Sequence, residues 1–228
     1  MPTNNPPGEI LDDPSADPAM VRRMLRDIAR SNRWFGGRHA VRWGLEHLFD
    51  REDRGGHFVI CDIGTGGGDL PRDAARWARG RGMTFATIGL ERIPAAAALA
   101  RSTGMPMVLG CASALPFAGR SVDVVMVSQV AHHLSRSEAA ALFAACSRIA
   151  RRGVVIADLR PSHAYALAFK VGSRLLRMHP ATRIDGITSI ARGFTTDALR
   201  ELVAESGHAA HVAALPFARV SAAWRTNR

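Results

Sequence analysis

Apolar residues recur along this chain with two different periods. Over residues 18–30, Met20, Val21, Met24, Leu25 and Ile28 fall on one face of a helical repeat, which predicts an amphipathic helix. The stretch SNRWFGG interrupts that pattern, and a second helix is expected over about residues 38–49. The pattern then changes to short apolar runs: HFVICDI, TFATIGLE, MPMVLGCA, VDVVMVSQ and GVVIADL. Their length and β-branched content suit buried parallel strands. Helical patterns at 70–79, 94–101 and 137–151 lie between them. Strand alternating with helix predicts an α/β fold with a doubly wound, mostly parallel sheet. Past Leu159 the pattern gives a helix over about 162–178, a polar loop HPATRIDGITSIARGF, and a helix over about 196–205 with Thr195 as its N-cap. The last segment, HVAALPFARVSAAWR, reads as two strands around Pro216, an antiparallel hairpin at one edge of the sheet.

The 228 residues and 47% hydrophobic content suit one domain with a sizeable core. The organisation expected is a polar, Pro-rich flexible arm over 1–17, a helical cap over 18–54 and a ligand-binding core over 55–228. The arm lacks the basic start and apolar centre of a secretory signal, and no apolar run approaches the roughly 20 residues of a membrane span. Cys61, Cys111 and Cys146 have no CxxC spacing and read as reduced thiols, so a cytoplasmic location is expected. The net charge of +10 is almost all arginine, since Lys170 is the only lysine. The arginines are scattered and not interleaved with aromatics. A solvated basic surface, and not a nucleic-acid interface, is the expectation.

The segment CDIGTGGGDL sits where the first strand turns into a helix. Glycines there permit a tight turn and close approach of a ligand to the backbone. Gly64 and Gly66 match the first half of a dinucleotide fingerprint, but Asp69 stands at its third-glycine position. A carboxylate at a helix start opposes a pyrophosphate and tolerates a cation. Asp62 adds a second carboxylate, and no Gly-Lys-Ser/Thr occurs anywhere. The ligand expected is a nucleoside without phosphates that carries positive charge. The next strand ends in Glu91, 23 residues after Gly68, where an acidic side chain can accept from ribose hydroxyls.

These residues together resemble the class I S-adenosylmethionine-dependent methyltransferases. VICDIGTGGGDL is similar to the family's first motif, IGLERIPAAAALAR to its second, and VLGCASALPFAGRSVDVVMVSQVAHHLS to the run with adenine contacts and the fourth strand. The resemblance covers about residues 57–225 and implies a Rossmann-like sheet of seven strands. It also implies S-adenosylmethionine as cofactor, held by Asp62, Gly64, Thr65, Gly66, Gly68, Glu91, Arg92, Cys111, Ala112, Ser113, Ser128 and Gln129. Cys111 departs from the family, which often has Asp there. A thiol accepts weakly, so adenine would rely on backbone near Ala112 and on apolar packing.

His132 and His133 follow the fourth strand and are the candidates for a general base. Arg160 and Tyr165 are candidates for the acceptor side, as are Asp185 and Arg192 on the loop expected after the sixth helix. The segment RIDGITSIARGFTTDALREL resembles a bacterial subgroup tied to polyketide or phenolic natural products, which implies secondary metabolism. Arg183 and Phe194 join Arg192 as candidates for binding an oxygenated ring. Trp34 and Phe35, followed by Gly36 and Gly37, suggest a lid over the acceptor. No metal is expected. The leading expectation is methyl transfer to a small aromatic, phenolic or quinol-like acceptor, at oxygen. An RNA or protein acceptor, an oxidoreductase, a non-catalytic S-adenosylmethionine-binding protein and assembly as a homodimer stay open. The Asn/Asp-Pro-Pro-aromatic motif of many nucleic-acid amino methyltransferases is absent, as the sequence there reads SQVAHH.

Overall fold

In the computed structural model, which describes residues 10–13 and 15–226, a sheet of seven strands runs in the order β3-β2-β1-β4-β5-β7-β6. The strands are β1 (His57–Ile63), β2 (Thr84–Glu91), β3 (Met107–Leu109), β4 (Val122–Ser128), β5 (Ala150–Leu159), β6 (His211–Leu215) and β7 (Arg219–Arg225). The first five are parallel; β7 pairs antiparallel with both β5 and β6, forming the expected hairpin. Strand order reverses between β1 and β4, and at that point an open α/β sheet offers a crevice beyond the strand ends.

The inner strands alternate between two cores. Val125 and Val127 of β4 join one cluster with Phe143, Leu199 and Leu202, while Val124 and Met126 join the other with Leu45, Ala74 and Trp77. Period-two alternation with both faces apolar is what makes such a strand read as one continuous hydrophobic run. The helices are α1 (Pro18–Trp34), α2 (Gly37–Leu48), α3 (Asp69–Arg79), α4 (Pro94–Arg101), α5 (Arg136–Ile149), α6 (His163–Leu175), α7 (Pro180–Arg192) and α8 (Thr196–Glu205). Thr195 caps α8 by accepting from the Ala198 amide, as its sequence position predicts. A Ser135–Glu138 capping box starts α5.

Two expectations are corrected. The first helix does not stop at Arg30 but runs to Trp34. Asn32, a poor helix former, is held there by tertiary bonds to Asp69 and Gln129 that override its propensity. The polar loop expected over 179–194 is mostly helix α7. Pro180 starts it, and His179 caps it by accepting from Ala181. Its repeat was hidden because its inward face is polar: Thr182, Asp185 and Ser189 recur at helical spacing and line a cavity. The arm expected over 1–17 lies largely outside the described residues; its described part includes one 3-10 turn, Ile10–Asp12.

Asp27 of α1, fully buried, anchors the α6–α7 segment. Its carboxylate accepts from the His179 amide at 2.6 Å and the Thr182 hydroxyl at 3.3 Å, and it pairs with Arg30. Arg30 in turn donates to the Leu176 carbonyl.

Helix α2 lies close to the sheet because it has no side chain at Gly44. A β-carbon there would stand 2.3 Å from a methyl of Val155, which is 1% exposed and branched at Cβ. Gly44→Ala gains up to about 1 kcal/mol of helix propensity but incurs about 1–3 kcal/mol of overpacking. The clash wins, and thermal unfolding should fall by several degrees; an unchanged or higher midpoint would contradict this packing.

Candidate functional site

A cavity of about 690 Å³ lies beyond the carboxyl ends of β1, β2 and β4, at the reversal of strand order. Its wall starts with the glycine turn. Gly64, Gly66 and Gly68 all have positive φ, which side-chain-bearing residues rarely adopt. Space is also short: a β-carbon on Gly64 would meet Val130 at 2.5 Å, and one on Gly66 would meet Leu25 at 3.0 Å. The glycines therefore serve both the turn and the approach of protein side chains. Asp69 is the first residue of α3, behind Gly68.

Glu91 controls the shape of this turn. One carboxylate oxygen accepts from the Gly66 amide at 2.9 Å; the other accepts from the Arg92 and Ile93 amides at 2.8 and 2.9 Å. The carboxylate thus ties β2 to the loop after β1 and to the start of α4. The oxygen bonded to Gly66 keeps a second lone pair for a ligand, whereas the other already accepts twice.

Asp62, near the end of β1, is 2% exposed. One oxygen accepts from the Thr65 hydroxyl at 2.6 Å, and the other has no hydrogen-bond partner among the described residues. Burial pushes its pKa up to about 7; Thr65 lowers it, and Asp69 and Glu91 raise it further. A buried acceptor on a cavity wall without a donor is the signature of a site for a cationic or hydrogen-bonding group. Cys111 is exposed, and the Ser113 hydroxyl donates to its sulfur at 3.2 Å. Hydrogen bonds from Ser113 hold its pKa below the ordinary thiol value.

Ser128 and Gln129 end β4 on the wall. Gln129 donates to Asn32, and Asn32 donates to Asp69, at 2.8 and 3.2 Å. Asn32 was not foreseen, although it sits four residues after Ile28 on the inward face of α1; a polar residue in an apolar stripe was the available signal.

Beyond β4, His132 and Asp158 form a pair. Nδ1 of His132 lies 2.6 Å from Oδ1 of Asp158, and both side chains are 1% exposed. Burial raises the Asp158 carboxyl, but the His132 charge and hydrogen bond, the Leu159 amide and His133 outweigh it and bring it below its ordinary value. The His133 ring centre is 4.2 Å from that of His132, and both line the cavity. The far end is built by Leu159, Tyr165, Phe169, Asp185, Ile190 and Arg219.

The structure brings together Asp62, Gly64, Thr65, Gly66, Glu91, Arg92, Cys111, Ala112, Ser113, Ser128, Gln129, His132, His133, Tyr165 and Asp185 on this one wall. Gly68, Trp34, Phe35, Arg160, Arg183, Arg192 and Phe194 are not on it. Gly68 packs instead against Met105. Trp34 is 57% exposed beside the Arg33 guanidinium. Phe35 stands behind the wall with its ring 5.5 Å from Phe169 and 6.4 Å from Tyr165. Arg160 leaves β5 with its amide bonded to the Ala218 carbonyl, and Phe194 turns toward the core. Arg192 is the last residue of α7, one turn past the lining Ser189. Among the described residues no group of three or more His, Cys, Asp or Glu could hold a metal ion, and no helix is long and apolar enough to cross a membrane.

Residues 61–157 match the family model described as a methyltransferase domain. That segment carries the glycine turn, Glu91, Cys111 and both histidines. No curated protein matches the chain. Among solved structures, it resembles a chain in the complex of the Haloferax volcanii Trm112 methyltransferase activator with a methyltransferase, at 17% identity over 92% of this chain and 97% of that one, TM-score 0.60. It resembles the Synechocystis magnesium protoporphyrin IX methyltransferase with bound S-adenosylmethionine at 12% identity, covering 98% of this chain and 100% of that one, TM-score 0.60. The human N-acetylserotonin methyltransferase, also in complex with S-adenosylmethionine, matches at 12% identity over 98% of this chain and 61% of that one, TM-score 0.65. At these identities the likeness is one of fold.

The Asp62 environment gives a stability test. Its folded pKa of about 7 lies above the ordinary 3.8, so the fold disfavours the ionised form. The resulting loss of stability grows as pH rises from about 4 to about 7 and is constant above that. Asp62→Asn should raise the unfolding midpoint at pH 8 and leave it nearly unchanged at pH 4, read by thermal melts. An equal effect at both pH values would show that Asp62 is not held neutral by burial.

Proposed function

We propose that this chain, whose residues 61–157 match a methyltransferase domain, is an S-adenosylmethionine-dependent methyltransferase that transfers the methyl group to a small aromatic acceptor, at a phenolic or similar oxygen. The observation that carries this reading is the buried His132–Asp158 pair, whose histidine lines the cavity together with the glycine turn and the aromatic residues Tyr165 and Phe169. The fit of the cofactor rests on the unpartnered oxygen of Asp62, the acidic Glu91 and a turn without phosphate-binding chemistry. A positively charged nucleoside suits that set and a pyrophosphate does not.

When bound, S-adenosylmethionine supplies a methyl group already activated on a sulfonium. Glu91 is assigned to the ribose hydroxyls beside Arg92, and Cys111, Ala112 and Ser113 to the adenine. Asp62, Ser128 and Gln129 are assigned to the amino-acid end. An acceptor hydroxyl must lose its proton as the new bond to carbon forms, and a phenol's ordinary pKa is near 10. Asp158 accepts from Nδ1–H of His132 and fixes the ring so that Nε2 is the atom assigned to take that proton. Asp158 then stabilises the imidazolium until the proton passes to solvent. Tyr165 and Phe169 give the acceptor ring an aromatic wall, which Phe35 supports from behind. Holding donor and acceptor in line at attack distance supplies the remaining acceleration, worth about 7–11 kcal/mol in well-oriented systems.

His132→Asn should lower kcat by about 10²–10⁴-fold while leaving S-adenosylhomocysteine affinity within about threefold. Glu91→Ala should do the reverse, weakening affinity strongly. The acceptor class is tested with methyl-labelled S-adenosylmethionine in a cell lysate. Label in the organic extract is the expected result; label in precipitated macromolecules would assign an RNA or protein acceptor instead.

A further inference from the structure

Arg219 opens β7, in register with Leu159 on one side and Leu215 on the other. It is 2% exposed, yet its side chain forms part of the cavity wall. Its Nε donates to the Phe35 carbonyl at 2.9 Å, and among the described residues it makes no other hydrogen bond and no ion pair. Buried charges are ordinarily paired, because removing an ion from water is costly. The groups close enough to act on it are Tyr165, Asp158 and Asp69; Asp158 is engaged by His132, and Asp69 by Asn32. Burial lowers the Arg219 pKa, and those three groups raise it again. A guanidinium does not lose its proton in such surroundings. The molecule thus keeps a buried cation with open donors at the aromatic end of the cavity, and among the described residues no carboxylate forms an ion pair with it.

We infer that Arg219 binds an anionic oxygen group, a carboxylate or a phenolate, on the aromatic molecule that occupies this end of the cavity. The planar fork of a guanidinium matches two oxygens at once, which fixes orientation as well as charge. Because Nε is already anchored on Phe35, the terminal amino groups are held in a set direction. Leu159, Phe169 and Ile190 exclude water around the pair and strengthen it. The acceptor would therefore be an aromatic acid or a ring bearing a second acidic oxygen, anchored at Arg219 so that another oxygen reaches His132. This rests on the methyl-transfer reading above for the role of the occupant, but not for the presence of an anion site. A carboxylate at Arg219 has two sources, the acceptor and the amino-acid end of the cofactor, and the experiment separates them.

The wild-type chain, saturated with S-adenosylhomocysteine, is titrated with para-fluorobenzoate and with its neutral amide, and binding is followed by fluorine NMR. The carboxylate should bind at least about tenfold more tightly than the amide, the usual scale for a charge-assisted bond, and Arg219→Met should abolish the difference. A preference seen only without S-adenosylhomocysteine, and lost in competition with it, would keep Arg219 as an anion site but assign it to the cofactor's carboxylate. Equal binding of acid and amide in the loaded and the unloaded wild type would overturn the inference, whether or not the variant folds. S-adenosylhomocysteine that fails to bind would instead sink the methyl-transfer reading, leaving the acid–amide comparison to decide Arg219 alone.

Discussion

One carboxylate holds three backbone amides in place. Glu91 accepts from Gly66 in the turn after β1 and from Arg92 and Ile93 at the entry to α4. Without it, the turn with its three left-handed glycines would be tied to β2 only at its start, through the Gly64 and Thr65 amides on the Leu90 carbonyl. With it, the turn is pinned to the neighbouring strand, and the strand ends of β1, β2 and β4 present one continuous wall. A ligand that accepts this wall meets donors and acceptors that are already oriented. Preorganisation of that kind makes binding energy available for alignment.

The second support comes from the other side of the cavity. Asp27 is a charged residue on the buried face of α1, and the segment after α6 is bonded to it through His179 and Thr182. Arg23 and Arg30 donate to carbonyls of Arg177 and Leu176 in the same segment. The N-terminal helix and the α6–α7 pair therefore behave as one cover. Residues some 150 positions apart in sequence hold that cover together.

The sheet was legible in the sequence because each of its inner strands is apolar on both faces, and HFVICDI and TFATIGLE match β1 and β2 residue for residue. The hairpin around Pro216 was legible because two short apolar runs lie close together in the sequence. Helix α7 was not, since the usual signal is an apolar stripe facing the core, and here the inward stripe is Thr182, Asp185 and Ser189 facing a cavity. At the site, the strand-end residues could be read because their positions follow from the strands. Asn32 left one local sign, a polar residue in an apolar stripe; Asp27 and Arg219 could not be read, because each is a polar residue made important by a partner far away in sequence. Arg219 meets Phe35 across 184 positions, and no local pattern announces such a contact. Trp34, Arg160 and Arg192 carried suitable chemistry but stand outside the wall, because element ends and loops are the least constrained by periodicity.

The place of β7 in the sheet has a consequence for how the chain is made. This strand leaves the ribosome after both of its neighbours, yet it inserts between β5 and β6 and contributes Arg219 to the wall. Until it arrives, the backbone of Gly153–Leu159 is an open sheet edge of apolar residues, the kind of surface that recruits other chains. Asp27 meanwhile is synthesised some 150 positions ahead of its partners at His179 and Thr182. Most pairings that close the cavity are long-range, which slows folding. The nascent chain thus carries a half-built pocket and an adhesive edge until β7 emerges, and its yield of folded molecules is decided at that step.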